Sequence, residues 1–554
     1  MSTRQRVAVV TGGGGGIGRA IAEELGRSGW FVVTVDPLVT LDGTERIPDP
    51  GETTAGRIVA AGGSARGSSA SVTDGEALHQ LFSELAEEHG GLDAVVNVAG
   101  ITRQSYFAQG SEEDWLSLLS VHLGGYLNVL EAALPLMAGF GYGRVLGVTS
   151  GSGWRAADAG GYSHAKRVVA TLTWQLGRLA PPGVTVNAIS PIAYTRMVAA
   201  ALERARAAGR PGGGGGLSLS ASMPGPEDLG PLGAYLVGDG AAWCNGQVLF
   251  TAGSEVAVVD QPRLVEVVRT HDAVSLPAVL RAVIPRAFVT AEAAQATSGG
   301  ANPRFGPIFG EPSLAEPAPT PVRSCAVVSD RPRLTASLTA ALRARSVTCH
   351  LLDPVRGFAA AAGALRSLAG TAGPIDAVVV APAGHLTPAT ATEGWQHVLA
   401  DHRGIIDHLH TDAGWARAVS DCAAEWGRPL GLVTLTDATT VAGRSRAQAA
   451  AQLARAAAGA TGGRVAAFAA STEAVEEETC GPAGELVAHL LCSPDAAPLA
   501  GAELVVGTGW IGLRSHPRPI GTVLYGGPAV PPWLDAALRE IVGATPPTRH
   551  EEAR

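Results

Sequence analysis

Tyr162 and Lys166 stand four residues apart in "YSHAK", twelve residues after Ser150, which closes the apolar run "RVLGVTS". Positions i and i+4 share one helix face, so phenol and ammonium would lie side by side there. A phenol ordinarily titrates near pH 10. A neighbouring positive charge stabilises the phenolate and brings it into range for proton transfer. Lys166 is the only lysine of the chain, arginine supplying the other 40 of its 41 Lys and Arg residues. Arginine serves wherever only solubility is needed. Its planar fork cannot replace a compact ammonium that donates in several directions. The pattern points to a Ser-Tyr-Lys proton-transfer site rather than to a solvated helix face.

Such a set needs elements to hold it. "RVAVVTGGGGGIGRAIAEELGRSG" opens with a β-branched run, Val7 to Val10, that reads as a buried parallel strand. Ile17, Ala20, Ile21 and Leu25 then recur at helical spacing. Between them lies a glycine cluster, with Gly12, Gly16, Ile17 and Gly18 as cofactor-binding candidates. Glycines let the backbone approach a pyrophosphate, and the helix N-terminus offers it free N–H groups. "WFVVTVD" is a second strand ending at Asp36. An acid there can accept from both ribose hydroxyls and repels a 2′-phosphate, so NAD(H) is favoured over NADP(H). A third strand, "LDAVVNVAG", ends in Asn97, Ala99 and Gly100, small enough for a cofactor to lie against the backbone.

With these pieces in view, the chain resembles the short-chain dehydrogenase/reductase family over about residues 5 to 255. The carriers are "TGGGGGIG" (11–18), "NVAG" (97–100), Ser150, "YSHAK" (162–166) and "VNAISPIAYTRM" (186–197). Within it the likeness is greatest to the 3-hydroxyacyl-CoA dehydrogenase part of peroxisomal multifunctional enzyme type 2, through "SVHLGG", "NAISPIAYTRM" and "VLFTAGSEVAVV". The resemblance implies that Ser150 holds the substrate oxygen and that Tyr162 exchanges its proton. Lys166 would lower the Tyr162 pKa and bind the nicotinamide ribose, Pro191 and Thr195 would line the cofactor, and Thr195 would touch the carboxamide. His122, where much of the family has asparagine, would help a proton relay. There are departures: the serine–tyrosine spacing is one residue short, Thr149 is a second candidate for the serine's role, and Ile192 replaces a glycine after Pro191. The aspartate that contacts adenine in the family is absent at Ser71.

Net charge is −9 without a basic stripe, which argues against nucleic acid as a partner. The six cysteines form no C-x-x-C pair, so neither a disulfide framework nor a metal site is expected. No apolar run approaches membrane-spanning length, and the first strand begins almost at the N-terminus, so a cytoplasmic protein is expected. Residues 204–226, rich in glycine, fall where the family carries a substrate lid.

After a Pro/Gly-rich linker at 290–321, the second half repeats the first in worn form. "SCAVVSDRPRL", "VTCHLLD" and "IDAVVVAPAG" mirror its opening strands, and "GRSRAQ" aligns with "GYSHAK", so Gln448 stands for the lysine. Glycines are gone, and Pro332 removes a donor. His402, His408 and His410 lack a carboxylate or cysteine pattern for a metal. The spacing between the second and third strand motifs is shorter than in the first half, so a strand and a helix are expected to be deleted. The expectation is an α/β chain of two Rossmann-like, doubly wound parallel-sheet domains. Residues 1–289 would be catalytic and 322–554 degenerate, the halves pairing through helices as an intrachain pseudo-dimer, with a homodimer of chains also open. The activity expected is interconversion of a secondary alcohol and a ketone. A 3-hydroxyacyl or 3-oxoacyl thioester, a cyclic or aromatic ketone, and an NAD-responsive interaction role all remain open.

Overall fold

The computed structural model describes residues 4–48, 51–155, 160–207, 223–270, 276–284, 287–288, 322–384 and 394–543. Most of the glycine-rich 204–226 stretch and all of the 290–321 linker lie outside the described residues. Among those described, the strands form two sheets.

The first sheet runs β3 (Ser64–Ser68), β2 (Phe31–Val35), β1 (Val7–Thr11), β4 (Ala94–Asn97), β5 (Gly143–Val148), β6 (Val184–Pro191), β7 (Val248–Ala252) and β8 (Glu255–Asp260). It is parallel as far as β7; β8 turns back antiparallel. Strand β1 is apolar at both faces because helices cover both, and all five of its residues are buried. The helix Gly16–Arg27 buries Ile21 and Leu25 on one face. Between β1 and β4 the strand order reverses, which opens a crevice at the strands' carboxyl ends.

The second sheet runs β11 (Thr348–Leu352), β10 (Ser324–Val328), β12 (Ala377–Val380), β13 (Leu430–Asp437), β14 (Val465–Thr472), β15 (Glu503–Gly507) and β16 (Trp510–Arg514). It reproduces the first sheet's winding without a counterpart of β3. A single helix, Phe358–Ala372, joins β11 to β12, where β2 and β4 are separated by two helices and a strand.

The two sheets exchange their last strands. β9 (Leu264–Arg269) leaves the first sheet and pairs antiparallel with β16, while β17 (Arg518–Leu524) returns to pair antiparallel with β8. The neighbours follow. Leu280, Ile284 and Phe288 pack in the second unit's core with Leu334 and Leu338. The helix Trp533–Gly543 packs on the first unit, where Asp535 accepts from the Tyr235 hydroxyl at 2.9 Å and the Trp243 indole at 2.5 Å. The exchange cuts across the expected boundaries 1–289 and 322–554: among the described residues, Leu264–Arg269, 276–284 and 287–288 lie with the second sheet and 518–543 with the first. Each exchanged strand covers what would otherwise be a row of open N–H and C=O groups, and pattern along the chain does not show which edge a strand will choose.

The units meet through helices. Gly160–Leu179, the Tyr162 helix, lies along Val441–Thr461, the Gln448 helix. Val398, Leu399, Ile405, Leu409 and Ala449 of the second half share one apolar cluster with Leu123, Leu130 and Val168 of the first. Ala449 therefore faces the first unit, whereas Leu453 and Ala457 pack into the second unit's own core. Each fully buried aliphatic chain contributes about 1.5–3 kcal/mol, against about 1 kcal/mol net for a hydrogen bond. Apolar burial therefore dominates the cohesion. The polar contacts at the centre, Arg167 with Gln448 among them, set register more than strength. The stretch Glu112–Phe140 is long and apolar enough to cross a membrane by length and composition, unlike the sequence expectation, and half of that window is buried in the protein.

Candidate active site

Ser150, Tyr162, Lys166 and His122 converge beyond the ends of β4 and β5. The Tyr162 helix begins at Gly160, whose φ of +51° suits glycine and where a Cβ would lie 2.2 Å from the Ser105 carbonyl oxygen. The Ser105 hydroxyl accepts from the Gly161 N–H at 3.0 Å. The loop after β4 thus sets where the Tyr162 helix starts. The Ser150 hydroxyl accepts from the Ser152 N–H at 3.3 Å and acts on the Tyr162 phenol, drawing its pKa down. Thr149, the alternative, is buried and donates to the Lys166 carbonyl at 2.5 Å, so its hydroxyl is committed to the backbone.

His122 sits in a π-helical turn, Ser120–Gly124, that joins Glu112–Leu119 to Gly125–Phe140. The turn aims the imidazole at Tyr162, the ring centroids 4.9 Å apart and nearly perpendicular. Its Nε2 lies 2.8 Å from the Ile101 carbonyl oxygen, and its Nδ1 is buried with no hydrogen-bond partner. Burial, aided by the Lys166 charge, pushes the imidazole down to about 3, so His122 is neutral across the physiological range.

Lys166 is buried, and burial pushes its ammonium down to about 7. Its Nζ donates to the Val148 carbonyl at 2.6 Å and stands 5.7 Å from the Tyr162 ring centroid. Burial raises the Tyr162 phenol above its usual value, while Ser150 and then the Arg155 charge pull it back. Desolvation dominates the phenol, and the Arg155 charge opposes it.

The glycine turn faces this group across the crevice. Gly12 has φ +63°, and a Cβ on it would lie 2.8 Å from the Ala99 nitrogen. One on Gly18 would lie 2.2 Å from the Gly12 carbonyl oxygen. Strand, turn and helix can close together only with glycine at both places. Ile17 packs against the core below, and Thr195 lies over Gly16, its methyl 3.8 Å from where a Cβ would be. Asp36 accepts from the Gly14 N–H at 3.0 Å and the Leu38 N–H at 2.9 Å, at the far end of the turn. Asn97 accepts from the Thr11 hydroxyl at 2.7 Å, tying β4 to β1, while Pro191 ends β6 beside Thr251. Gly100 lies against His122. A backbone cradle, an acid at the second strand's end and a helix N-terminus fit a dinucleotide.

Two residues here went unnoticed in the sequence. The Arg196 guanidinium lies against Gly15, the N-cap residue of the helix Gly16–Arg27. A cation beside a helix N-terminus is unfavourable until an anion comes between them. Arg155 supplies charge to Tyr162. Arg196 immediately follows Thr195 in the family motif, and that adjacency was the available signal; nothing local marked Arg155.

The second sheet's crevice is built differently. A cavity of about 360 Å³ at the ends of β10, β12 and β13 is walled by Asp330, Asp401, Asp437 and Glu476, together with Arg331, Pro332 and Arg446. Arg446 is tied to the buried Asp412, and Arg331 donates to Glu476 at 2.6 Å. Both cations are neutralised, and the remaining carboxylates repel a diphosphate. His402 is engaged at Nδ1 by the Val398 carbonyl oxygen and at Nε2 by the Ser445 hydroxyl, and His410 faces Glu112 across the unit boundary.

A family model described as short chain dehydrogenase matches residues 6–206. The short-chain reductase protein NovJ of Streptomyces niveus is 35% identical over 36% of this chain and 74% of its own length. Hydroxyacyl-CoA dehydrogenase ChsB1 of Mycobacterium tuberculosis is 31% identical over 47% of this chain and 81% of its own. The crystal structure of the N-domain, with NADP, of bacterial malonyl-CoA reductase aligns with 91% of this chain and 97% of its own at a TM-score of 0.66 and 15% identity. That likeness is one of fold, and it extends over both units.

Proposed function

The chain belongs to the short-chain dehydrogenase family, an NAD(P)-linked oxidoreductase acting on CH–OH groups, and from that premise we propose that its first unit interconverts a 3-hydroxyacyl and a 3-oxoacyl thioester. The observation that carries this reading is the meeting of Ser150, Tyr162, Lys166 and neutral His122 opposite the glycine turn. Relatives named for such substrates, 3-oxoacyl-[acyl-carrier-protein] reductase of Vibrio cholerae and acetoacetyl-CoA reductase of Cupriavidus necator, support the substrate class.

Gly12, Gly16, Ile17, Gly18, Asn97, Ala99, Gly100, Pro191 and Thr195 would hold the dinucleotide. Arg196 would meet its pyrophosphate, and Lys166 its nicotinamide ribose. The Asp36 carboxylate would accept from the adenosine ribose and disfavour a 2′-phosphate, so NAD(H) is the preferred form. When bound, the cofactor carries the two electrons of the reaction.

The residues themselves move the proton. Ser150 donates to the ketone oxygen and orients it toward Tyr162. The phenol, held protonated by burial, delivers its proton to that oxygen as it gains charge and recovers it in the reverse direction. His122, being neutral, can accept a hydrogen bond at Nδ1 while its Nε2 stays at the Ile101 carbonyl, and so orient a relay group beside the phenol without carrying charge into the buried site. The test is NADH oxidation with acetoacetyl-CoA beside a cyclic diketone. Turnover of the thioester at least ~10-fold above the diketone in kcat/KM is expected; the reverse preference would reassign the substrate, and inactivity with both would remove the reading.

A further inference from the structure

We propose that Gln452, a residue of the second unit, is a positioning residue for the reacting pair of the first, holding the loop Gly151–Arg155 that links Ser150 to the Tyr162 side of the site. This rests on the reading of Ser150 and Tyr162 as the reacting groups.

Gln452 is 1% exposed on the Gln448 helix. Its side-chain amide donates to the Ser152 carbonyl at 3.1 Å and to the Arg155 carbonyl at 2.9 Å, bracketing the loop at two points. Its Oε1 is buried without a partner. An orphaned buried oxygen costs about 1–3 kcal/mol. Apolar packing alone would not select a glutamine here, in a helix where Ala449, Ala450, Ala451 and Ala454 surround it. The residue spends stability on two donations to a loop of the other unit.

That loop is otherwise seated on the Tyr162 helix. A Cβ on Gly153 would lie 2.9 Å from the Arg167 nitrogen, and Trp154 is buried with Ala170 and Trp174. Gln452 acts at its Arg155 end. One turn earlier Gln448 accepts from Arg167, the residue after Lys166, at 3.1 Å and donates to Glu503 at 2.6 Å. Glu503 is in turn paired with Arg514 at 3.0 Å. The glutamine standing where a lysine would be in the copy thus anchors the helix that presents Tyr162 and Lys166. The groups facing the phenol are Ser150 and Arg155 from the loop, Lys166 from its own helix and His122 from the π-turn. The loop is held from the second unit by Gln452, and the helix bearing Lys166 by Gln448.

The experiment compares Gln452→Met and Gln452→Glu with wild type and Tyr162→Phe in the full chain. Acetoacetyl-CoA reduction is followed from pH 6 to 10, with NADH affinity and thermal unfolding measured alongside. Methionine matches the length, removes the orphaned oxygen and should leave the melting temperature unchanged or higher. Its kcat should still fall ~10-fold or more with NADH affinity within about twofold. The alkaline limb should move to higher pH as Arg155 drifts from the phenol. Glutamate, facing two carbonyl oxygens, should be worse in kcat. Wild-type kcat and an unmoved limb in Gln452→Met beside an inactive Tyr162→Phe overturn the positioning role. So does a lowered melting temperature with unchanged turnover. An active Tyr162→Phe overturns the site reading and this proposal with it.

Discussion

Tyr162 and His122 meet edge to face with centroids 4.9 Å apart, and Gly100 makes the contact possible: a Cβ there would lie 2.4 Å from His122 Cε1. Gly100→Ala should therefore force the imidazole out of place. Overpacking of this kind costs about 1–3 kcal/mol, and displacement of a group beside the phenol should lower kcat about tenfold to a hundredfold. Urea unfolding and steady-state kinetics on the same preparation check both. Unchanged kcat would leave His122 a packing residue only.

Tyr162→Phe should remove the proton carrier and cost at least ~10²-fold in kcat while NADH affinity stays close to wild type. Lys166→Arg keeps a charge yet should lose most activity, because the fork cannot enter the space from which Nζ reaches the Val148 carbonyl. Wild-type turnover by either variant at saturating NADH would remove the assignment.

The Lys166 pKa of about 7, against an ordinary 10.5, has a stability consequence of definite sign. The folded chain binds fewer protons than the unfolded chain between those values, so stability from this group rises with pH across that window. Its penalty is full below about pH 7. Without cofactor, wild type should gain on Lys166→Met between pH 7 and 9.5 in chemical unfolding. A gap independent of pH would show that Lys166 is not desolvated.

Asp36→Ala should weaken NADH binding and raise relative use of NADPH, read as kcat/KM for both. Calorimetric titration of the wild type should find one NADH site per chain, since the second crevice presents Asp330, Asp401 and Asp437 where phosphates would sit. A wild type that already prefers NADPH would refute the role given to Asp36. Two sites per chain would refute that given to the second crevice.

Removing residues 516–554 should expose β8 and strip Leu534, Leu538 and Asp535 from the first unit. Losing two fully buried leucines alone costs about 3–6 kcal/mol, so a lower melting temperature and aggregation are expected by scattering and size exclusion. Truncation near residue 320 should be worse, because it also uncovers the helix that bears Arg167 and Val168. Full solubility of either product would contradict the strand exchange.

The chemistry was legible along the chain because it depends on short spacings. Tyr162 and Lys166 share a face by helical geometry, and the glycines sit where a backbone must come close to its neighbour. The first sheet's strands were legible too, since parallel strands covered on both faces read as unbroken apolar runs. Other features depended on which distant groups meet. β9 and β17 look alike as candidates for either edge, and only the folded chain decides that each serves the other unit. Desolvation is likewise a property of the assembled interior: it pushes Lys166 down to about 7 and raises Tyr162. Gln452 and Arg155 carry no local signature at all. Their places follow from the docking of two helices more than 250 residues apart in the chain, a relationship that no pattern within either segment encodes.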